Sequence, residues 1–332
     1  MPFLLVFTSA DRALIVFCFG LLFGFATGVY WANRNFLTLK SIESEDRIYF
    51  TGLENVLAIL SAIVIPLTIG WFLVLGEKTD WYSVDRAYQV MVLLALLLSL
   101  LVGWLPQRIR LQSPYLKHVR IQKMTAGWNT LRWLEFSHGL QHGVEGVLPI
   151  LLVLTFVGAE GSLGTLQSLS AVLSAIIVYI VGKRAAQKHR VTILGVWIVG
   201  LILAASVFSI TFSALGVIAY FTIVSLTDSF RWLSLTPMMY DVIDAEQEIT
   251  HEHHYSYIFD REIYLAIGRV LSLVIFYFIS QYDGAAALRY GLLIGGVIQL
   301  ATYALARKIQ STLIKTTLSL DLQPEPISVS HE

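Results

Sequence analysis

The sequence predicts an all-α membrane protein, a polytopic helix bundle with nine spans. Of its 332 residues, 56% are hydrophobic and only 14% are charged, whereas soluble domains are nearer about 25% charged. Nine apolar runs are as long as the roughly 20 residues that cross a bilayer. None of them alternates with period two as a barrel strand would, so helices are the expected way to satisfy the backbone in lipid.

The nine runs divide the chain into spans joined by polar connections. We place them at about 13–32, 52–75, 87–105, 134–157, 164–182, 191–212, 215–239, 262–281 and 286–306. Each is too long for a buried strand. The single cysteine, Cys18, lies inside the first run, so the chain has neither a disulfide framework nor a thiol metal cluster.

A basic connection between the third and fourth spans sets the expected orientation. It contains no Asp or Glu and carries the six cationic residues Arg108, Arg110, Lys117, Arg120, Lys123 and Arg132. A short basic loop between spans indicates the cytoplasmic face. With this loop inside, only Arg12, Lys78, Arg86 and Arg289 among the loop cations fall outside. The C-terminus is then cytoplasmic in a multi-pass protein of the plasma or cytoplasmic membrane, and the N-terminus lies outside.

The same loop divides the chain into unequal parts. We expect an incomplete N-terminal bundle at 1–105, a basic cytoplasmic linker at 106–132, a six-helix bundle at 133–310 and a disordered cytoplasmic tail at 311–332. The tail carries Pro324 and Pro326 and few apolar residues, which is typical of disorder. A leading apolar stretch, Pro2 to Thr8, looks like the end of one more span.

Three spans before a long basic loop and six after it resemble a transporter of the Major Facilitator Superfamily. Members have twelve helices in two six-helix halves, a long cytoplasmic loop between the halves and both termini inside. The resemblance implies that the nine spans correspond to helices four to twelve and that the first three helices are absent. It also implies solute transport by alternating access.

One family motif can be compared directly. The family places a Gly, then Asp-Arg, then Gly and basic residues in the loop after helix eight. Here that loop begins with Gly182-Lys183-Arg184 and ends at Arg190, while Ala186 and His189 replace the Asp and the second Gly. The leading glycine and the basic residues are therefore shared, and the acidic residue is not.

A polar stripe runs along the fourth predicted span. Its members are Glu135, His138, Gln141, His142 and Glu145. At about 100° per residue they occupy an arc of roughly 120°, which should face the bundle interior. Histidines beside carboxylates suit a proton relay, an anionic substrate or a metal, and a stripe that merely bonds neighbouring helices is the structural alternative. On the resemblance this span is helix seven, which lines the central cavity.

Charged residues also occur in the seventh and eighth spans. Asp228 and Arg231 are three residues apart and share a helix face. Arg269 in the eighth span lies at a similar depth to Arg231, so an ion pair between Asp228 and Arg269 is geometrically allowed. Such a pair is either a gating or coupling pair or a static structural one.

The first span ends with Tyr30, Trp31 and Arg34, where aromatic residues beside a cation are typical of an interface anchor. Solute contact by Tyr30 or Arg34 is the functional alternative. Gly20, Gly24 and Gly28 recur every four residues and predict close helix packing.

The acidic segment from Asp241 to Asp260, which includes three histidines at 251, 253 and 254, is expected to be a solvated cytoplasmic loop, with metal binding as the alternative. The sequence shows no nucleotide loop and no zinc-finger or Ser-His-Asp spacing, so we expect no cofactor, no metal and no nucleic-acid partner.

These observations favour a secondary transporter, or a fragment of one, that moves a small solute with protons as one candidate coupling ion. The expected partners are the lipid bilayer and the solute. The candidate cavity residues are His138, Gln141, His142, Glu145, Asp228, Arg231, Arg269, Tyr30 and Arg34. A non-transporting scaffold or sensor, or an inactive truncated product, is the second hypothesis because the span count is odd. An intramembrane enzyme is the third, and no known catalytic spacing supports it.

Overall fold

The computed structural model describes residues 9–79, 82–104, 120–156, 172, 174–184 and 187–321. Every regular element in these ranges is a helix. We number them α1 (Ser9–Ser41), α2 (Arg47–Thr79), α3 (Val84–Trp104), α4 (Ala126–Glu145), α5 (Leu148–Phe156), α6 (174–184), α7 (Arg190–Thr211), α8 (Ala214–Thr227), α9 (Ser229–Thr250), α10 (His254–Tyr282) and α11 (Gly284–Asp321). A single 3₁₀ turn, Gln187–His189, precedes α7.

The predicted fold class, a helical membrane bundle, is confirmed. Within the described ranges, five helical segments are long and apolar enough to cross a membrane: Arg47–Ile65, Arg86–Trp104, Arg190–Thr211, His254–Tyr282 and Gly284–Leu313. They coincide with the second, third, sixth, eighth and ninth predicted spans. The first predicted span lies within α1.

The fourth predicted span, 134–157, is divided in two. Helix α4 ends at Glu145, and the Gly146 N–H closes its last turn on the His142 carbonyl. Helix α5 begins at Leu148 with Pro149 in its first turn, where a missing N–H is tolerated. The polar stripe therefore belongs to α4 alone, and its last member, Glu145, lies at the break.

The seventh predicted span, 215–239, is also divided, at Asp228. The Asp228 N–H bonds the Val224 carbonyl at 2.8 Å, and the Arg231 N–H bonds the Asp228 carbonyl at 3.0 Å, three residues back rather than four. Helix α9 then continues to Thr250, well past the expected end of the span. The acidic Asp228 is thus held at a helix junction one turn before Arg231.

The expected solvated acidic loop is not present as a loop. Most of the segment from Asp241 to Asp260 belongs to α9 and α10, and only residues 251–253 separate the two helices. The reason is that its carboxylates have arginine partners on other helices: Asp260 accepts two bonds of 2.6 Å from Arg132, and Asp241 pairs with Arg47. The metal alternative has no support in the described part of the chain, where no group of three metal-ligating side chains occurs.

Four other predictions lie wholly or partly outside the described residues. These are the leading apolar stretch (2–8), the first part of the basic linker (106–119), the first half of the fifth span and the last part of the tail (322–332). Helix α11 extends to Asp321, into the stretch where the sequence predicts a disordered tail.

The buried core lies mainly among α4 and α7–α11. Its largest fully buried side chains include Trp128, Trp197, Phe208, Tyr220 and Tyr257. Helix α1 contributes only residues near its C-terminal end to this core, while most of α3 exposes leucine and valine. Such exposed apolar faces suit contact with lipid.

The closest helix packing joins α4 to α10. A Cβ added at Gly139 would lie 2.4 Å from the Leu265 carbonyl oxygen, and one added at Gly268 would lie 2.3 Å from the Phe136 carbonyl oxygen. Small residues therefore let the two backbones touch. The glycines of α1 are different, because a Cβ at Gly20, Gly24 or Gly28 would meet no described atom within 4 Å. Close packing is thus found on α4 and α10 instead of on α1.

Candidate functional site

A buried arginine on α9 lies at the centre of the candidate site. Arg231 is 5% exposed and donates to three side chains. Its Nη2 lies 3.1 Å from Asp228 Oδ2, and its Nη1 lies 3.1 Å from His138 Nε2 and 3.5 Å from Glu145 Oε2. The partners come from α4 and the α8–α9 junction, so one guanidinium joins three helices. A buried cation requires such partners to offset its desolvation.

Aromatic rings and a second histidine complete the surroundings of Arg231. The guanidinium carbon lies 5.5 Å from the Trp197 ring centre and 5.4 Å from that of Trp232, within cation–π range. Because arginine only donates, His138 Nε2 must accept, which leaves the proton of a neutral His138 on Nδ1. The His142 ring lies 5.9 Å from the His138 ring.

A second ion pair lies beside this site. Glu135, 1% exposed, pairs with Arg261 of α10 at 3.0 Å, and its other oxygen lies 3.8 Å from His138 Nδ1. Arg261 also pairs with Glu262 at 2.5 Å. Histidine 138 therefore lies between the two ion-paired clusters, with one ring nitrogen facing each.

The predicted pairing of Asp228 with Arg269 is not present. Asp228 pairs with Arg231 of its own helix region, three residues away. Among the described residues, no carboxylate lies within ion-pair distance of Arg269, and its buried Nε has no hydrogen-bond partner. The sequence could place both arginines at similar depth, but it could not show that Arg231 turns toward Asp228.

Gln141 and Glu145 complete the polar stripe. The buried Gln141 lies toward α11, where a Cβ added at Gly295 would be 3.6 Å from its Cγ. Glu145 reaches Arg231 and retains 18% side-chain exposure, while Asp228 retains 31%. These two carboxylates are therefore the accessible acidic groups beside an inaccessible cation.

The first-span residues meet the site through stacked aromatic rings. Trp31 of α1 stacks on Trp232 of α9, with ring centres 5.9 Å apart. Arg34 lies 5.4 Å from the Trp31 ring, pairs with Glu54 and is 3.4 Å from the Tyr240 hydroxyl. Tyr30 differs, because it is 60% exposed and has an edge-on contact with Trp31. The structure thus brings Arg34 near the site through Trp31 and leaves Tyr30 at its margin.

A charged cluster joins the ends of α2, α7 and α9. Arg47, 3% exposed, pairs with Asp241 at 2.9 Å and with Asp244 at 2.6 Å. Buried Arg190 also pairs with Asp241. Arg190 is the last residue of the motif-like loop, so Asp241 ties the end of this loop to α9.

The titration of Asp244 reflects these contacts. Burial would raise the pKa of this carboxyl, but hydrogen bonds from His254 and Arg47, together with their charges, outweigh it and hold the pKa below its ordinary value. Asp244 is therefore an anion at neutral pH and contributes to the cluster in that form.

Several residues of these sites have no distinguishing signal in the sequence. Trp197 and Tyr220 lie in apolar runs and look like core residues, yet each has a buried polar atom without a partner. Glu246 looks like a loop residue but accepts from the Thr125 side chain and from the Trp128 N–H at 3.0 Å, which fixes the start of α4. Their roles depend on contacts more than a hundred positions away in some cases, which no local pattern reveals.

Comparison by sequence identifies one long relative. The chain is 24% identical over 272 residues to the uncharacterized protein YqgE of Bacillus subtilis (strain 168). The match covers 81% of this chain and 61% of that protein, so the chain spans less than two thirds of its relative's length. No protein-family model matches the chain.

Comparison by structure gives the fold. The chain is similar to the crystal structure of a Major Facilitator Superfamily transporter, FucP, in the outward conformation, with a TM-score of 0.54 and 15% identity. The similarity covers 83% of this chain and 71% of that one. The fold is therefore that of a transporter of this kind, and the protein is an integral membrane protein.

Proposed function

We propose that this chain is all or part of a Major Facilitator-type secondary transporter that moves a small solute by alternating access. The solute or coupling-ion site consists of the cluster around Arg231, with His138, His142 and Glu145 on α4 and Asp228 at the α8–α9 junction. Proton coupling is part of the proposal, because carboxylates and histidines share this site.

The observation that carries the proposal is the buried Arg231 with its three polar partners. Intramembrane charges are costly, and they mark solute and ion pathways by default. Here Asp228 and Glu145 remain partly accessible while Arg231 does not. Two of the partners lie at breaks in otherwise continuous spans, and discontinuous helices recur at transporter binding sites. Both features are expected of a site that binds and releases a solute.

Contacts between the two halves support a state closed at one end. Helices α1 and α2 meet α9 and α10 through Trp31–Trp232, Phe36–Tyr255 and the Arg47 pairs with Asp241 and Asp244. On the proposed topology, with the basic linker and the C-terminus inside, these contacts lie at the cytoplasmic end. The arrangement is then outward-facing, and inward opening requires the Arg47 pairs to break.

A second candidate function is a non-transporting membrane scaffold or sensor. The observation that favours it is the unpacked glycine face of α1, where Gly20, Gly24 and Gly28 meet no described atom within 4 Å. If the N-terminal bundle moves as one body during transport, other helices must pack against this face of α1. The transporter proposal therefore requires further helices that pack against this face in the working protein.

Reconstitution separates the two candidates. Purified protein in proteoliposomes is screened with amino acids, sugars and organic anions, with and without a pH gradient. Uptake of labelled solute and solute-evoked current on a solid-supported membrane are both recorded. A transporter gives saturable uptake or a saturable current with at least one solute. A chain that gives none, and whose extended form with three preceding spans also gives none, supports the scaffold instead.

A further inference from the structure

The charged side chains around the site are not evenly paired. Arg231 has two acidic partners, Asp228 and Glu145, and Arg261 likewise has two. Arg269 has none at ion-pair distance among the described residues, and Glu262 and Glu135 act on it only from further away. A half-buried guanidinium without a carboxylate is costly unless a ligand supplies the negative charge.

His142 lies beside this unpaired cation. Both Arg231 and Arg269 act electrostatically on its ring, which among the described residues hydrogen-bonds a backbone group and no other side chain. Close packing fixes this geometry, since a Cβ added at Gly143 would lie 2.5 Å from the Arg269 carbonyl oxygen. The α4 and α10 backbones that carry His142 and Arg269 are therefore in direct contact.

The buried polar atoms without partners near the site include several hydrogen-bond donors. Trp197 Nε1, Arg231 Nε and Arg269 Nε can only donate, and His138 Nδ1 carries the proton when Nε2 accepts from Arg231. Tyr220 also has an unpartnered buried hydroxyl. Unpartnered acceptors also occur there, among them Asp228 Oδ1 and Glu135 Oε2. A ligand that satisfies the donor of Arg269 must supply an acceptor, as a carboxylate or a phosphate does.

We propose that Arg269 and His142 form the docking point for an anionic group of the solute, a carboxylate or a phosphate. This inference rests on the proposed transport function and names its substrate class. A guanidinium fork matches both anions through paired N–H donors, and the neutral His142 ring adds one more. A neutral polyol would leave the charge of Arg269 without a counter-ion.

The test measures binding by the whole chain in detergent, separately from transport. The probes are succinate for a carboxylate, glycerol 3-phosphate for a phosphate and glucose as the neutral control. At saturation, a binding probe should raise the apparent Tm by about 2–4 °C. Arg269→Gln should weaken that probe about 10- to 100-fold, as expected for a hydrogen bond to a charged group. Arg269→Lys, which keeps the charge, should weaken it less.

Arg307→Gln is the matched control, because it removes an exposed cation from α11. It should leave the affinity unchanged. If Arg269→Gln does not fold, His142→Asn provides the second variant and should also weaken the anion. Stabilisation by succinate alone identifies a carboxylate, and stabilisation by glycerol 3-phosphate alone identifies a phosphate.

Three results would overturn the proposal: stabilisation by glucose alone, no stabilisation by either anion, or anion binding that survives both Arg269→Gln and His142→Asn. Transport measurements separate this failure from failure of the proposed function. Saturable uptake of a neutral solute, with no uptake of either anion, keeps the transporter and rejects the anion site, whereas the absence of both uptake and current with every solute rejects the transporter.

Discussion

Substitution of Gly139 by Ala tests the close packing that positions the polar stripe against α10. The new Cβ would lie 2.4 Å from the Leu265 carbonyl oxygen and 3.1 Å from the Gly268 Cα. Carbon and oxygen need roughly 3.2 Å, so the helices must separate by most of 1 Å, and backbone contacts cannot rotate away. Overpacking of this kind costs about 1–3 kcal/mol. Since the contacts are with backbone atoms, we expect the upper end of this range, about 2–3 kcal/mol. Alanine regains up to about 1 kcal/mol of helix propensity, so the net loss is about 1–2 kcal/mol.

The assay is the apparent Tm of the purified protein in one detergent, followed by intrinsic tryptophan fluorescence. A loss of about 1–2 kcal/mol lowers the Tm by about 2–6 °C. Two glycines serve as controls. Gly24→Ala adds a methyl where no described atom lies within 4 Å, and Gly146→Ala adds one at ordinary contact distance, 3.5 Å from the His142 carbonyl oxygen. A Tm for Gly139→Ala no lower than those of the two controls would refute the reasoning.

The charged cluster and the start of α4 give three further predictions. Asp241→Asn leaves the buried Arg47 and Arg190 short of a shared partner and should cost about 3 kcal/mol, seen as a lower apparent Tm; a wild-type Tm would contradict it. Asp244→Asn should lower the stability of the protein at pH 7. The pKa of Asp244 is lower in the folded protein than its ordinary value of 3.8, so its stabilising effect is present above that pH and is lost as the carboxylate is protonated. The difference in stability between wild type and variant should therefore shrink as the pH falls below 3.8, and a constant difference would count against it. Glu246→Ala removes the carboxylate that accepts hydrogen bonds at the start of α4. It should lower the stability by about 1–2 kcal/mol and speed hydrogen exchange at residues 125–130. Unchanged exchange there would show that Glu246 does not cap α4.

The helical class and the membrane setting follow from hydropathy alone, because a span must be both long and apolar whatever it packs against. The breaks at Gly146 and Asp228 do not follow in the same way. Each lies inside an apolar run of spanning length, and a hydropathy window averages over one polar turn. Pro149 was a visible signal for the first break, and Asp228 with Arg231 was a visible signal for the second.

The sequence predicts which of the candidate residues share a helix face, but it does not predict how they pair. Helical spacing places His138, His142 and Glu145 on one face of α4, and burial of that face is a general expectation for a polar stripe in lipid. Which carboxylate pairs with Arg231 depends on how side chains from three helices are oriented toward one another. The sequence therefore allowed an Asp228–Arg269 pair that the structure does not contain.

The acidic segment after Asp241 was predicted to be a loop, and that prediction was wrong. Its composition is that of a solvated loop, and composition carries no information about distant partners. Arg132 and Arg47, more than a hundred positions away, neutralise its carboxylates and let α9 and α10 continue through it. The short connection at His251 is the only part of the segment that matches the expectation of a turn.

The central claim is that the cluster around Arg231 carries the transported solute or its coupling ion. The most direct measurement is the initial rate of solute-evoked current in proteoliposomes for wild type and for His142→Ala combined with Glu145→Gln, with exposed Glu248→Gln as the control. We predict that the double variant loses about 100-fold or more of the rate, since two polar contacts to the solute or ion are removed, and that the control matches wild type. Equal rates in all three proteins would contradict the account.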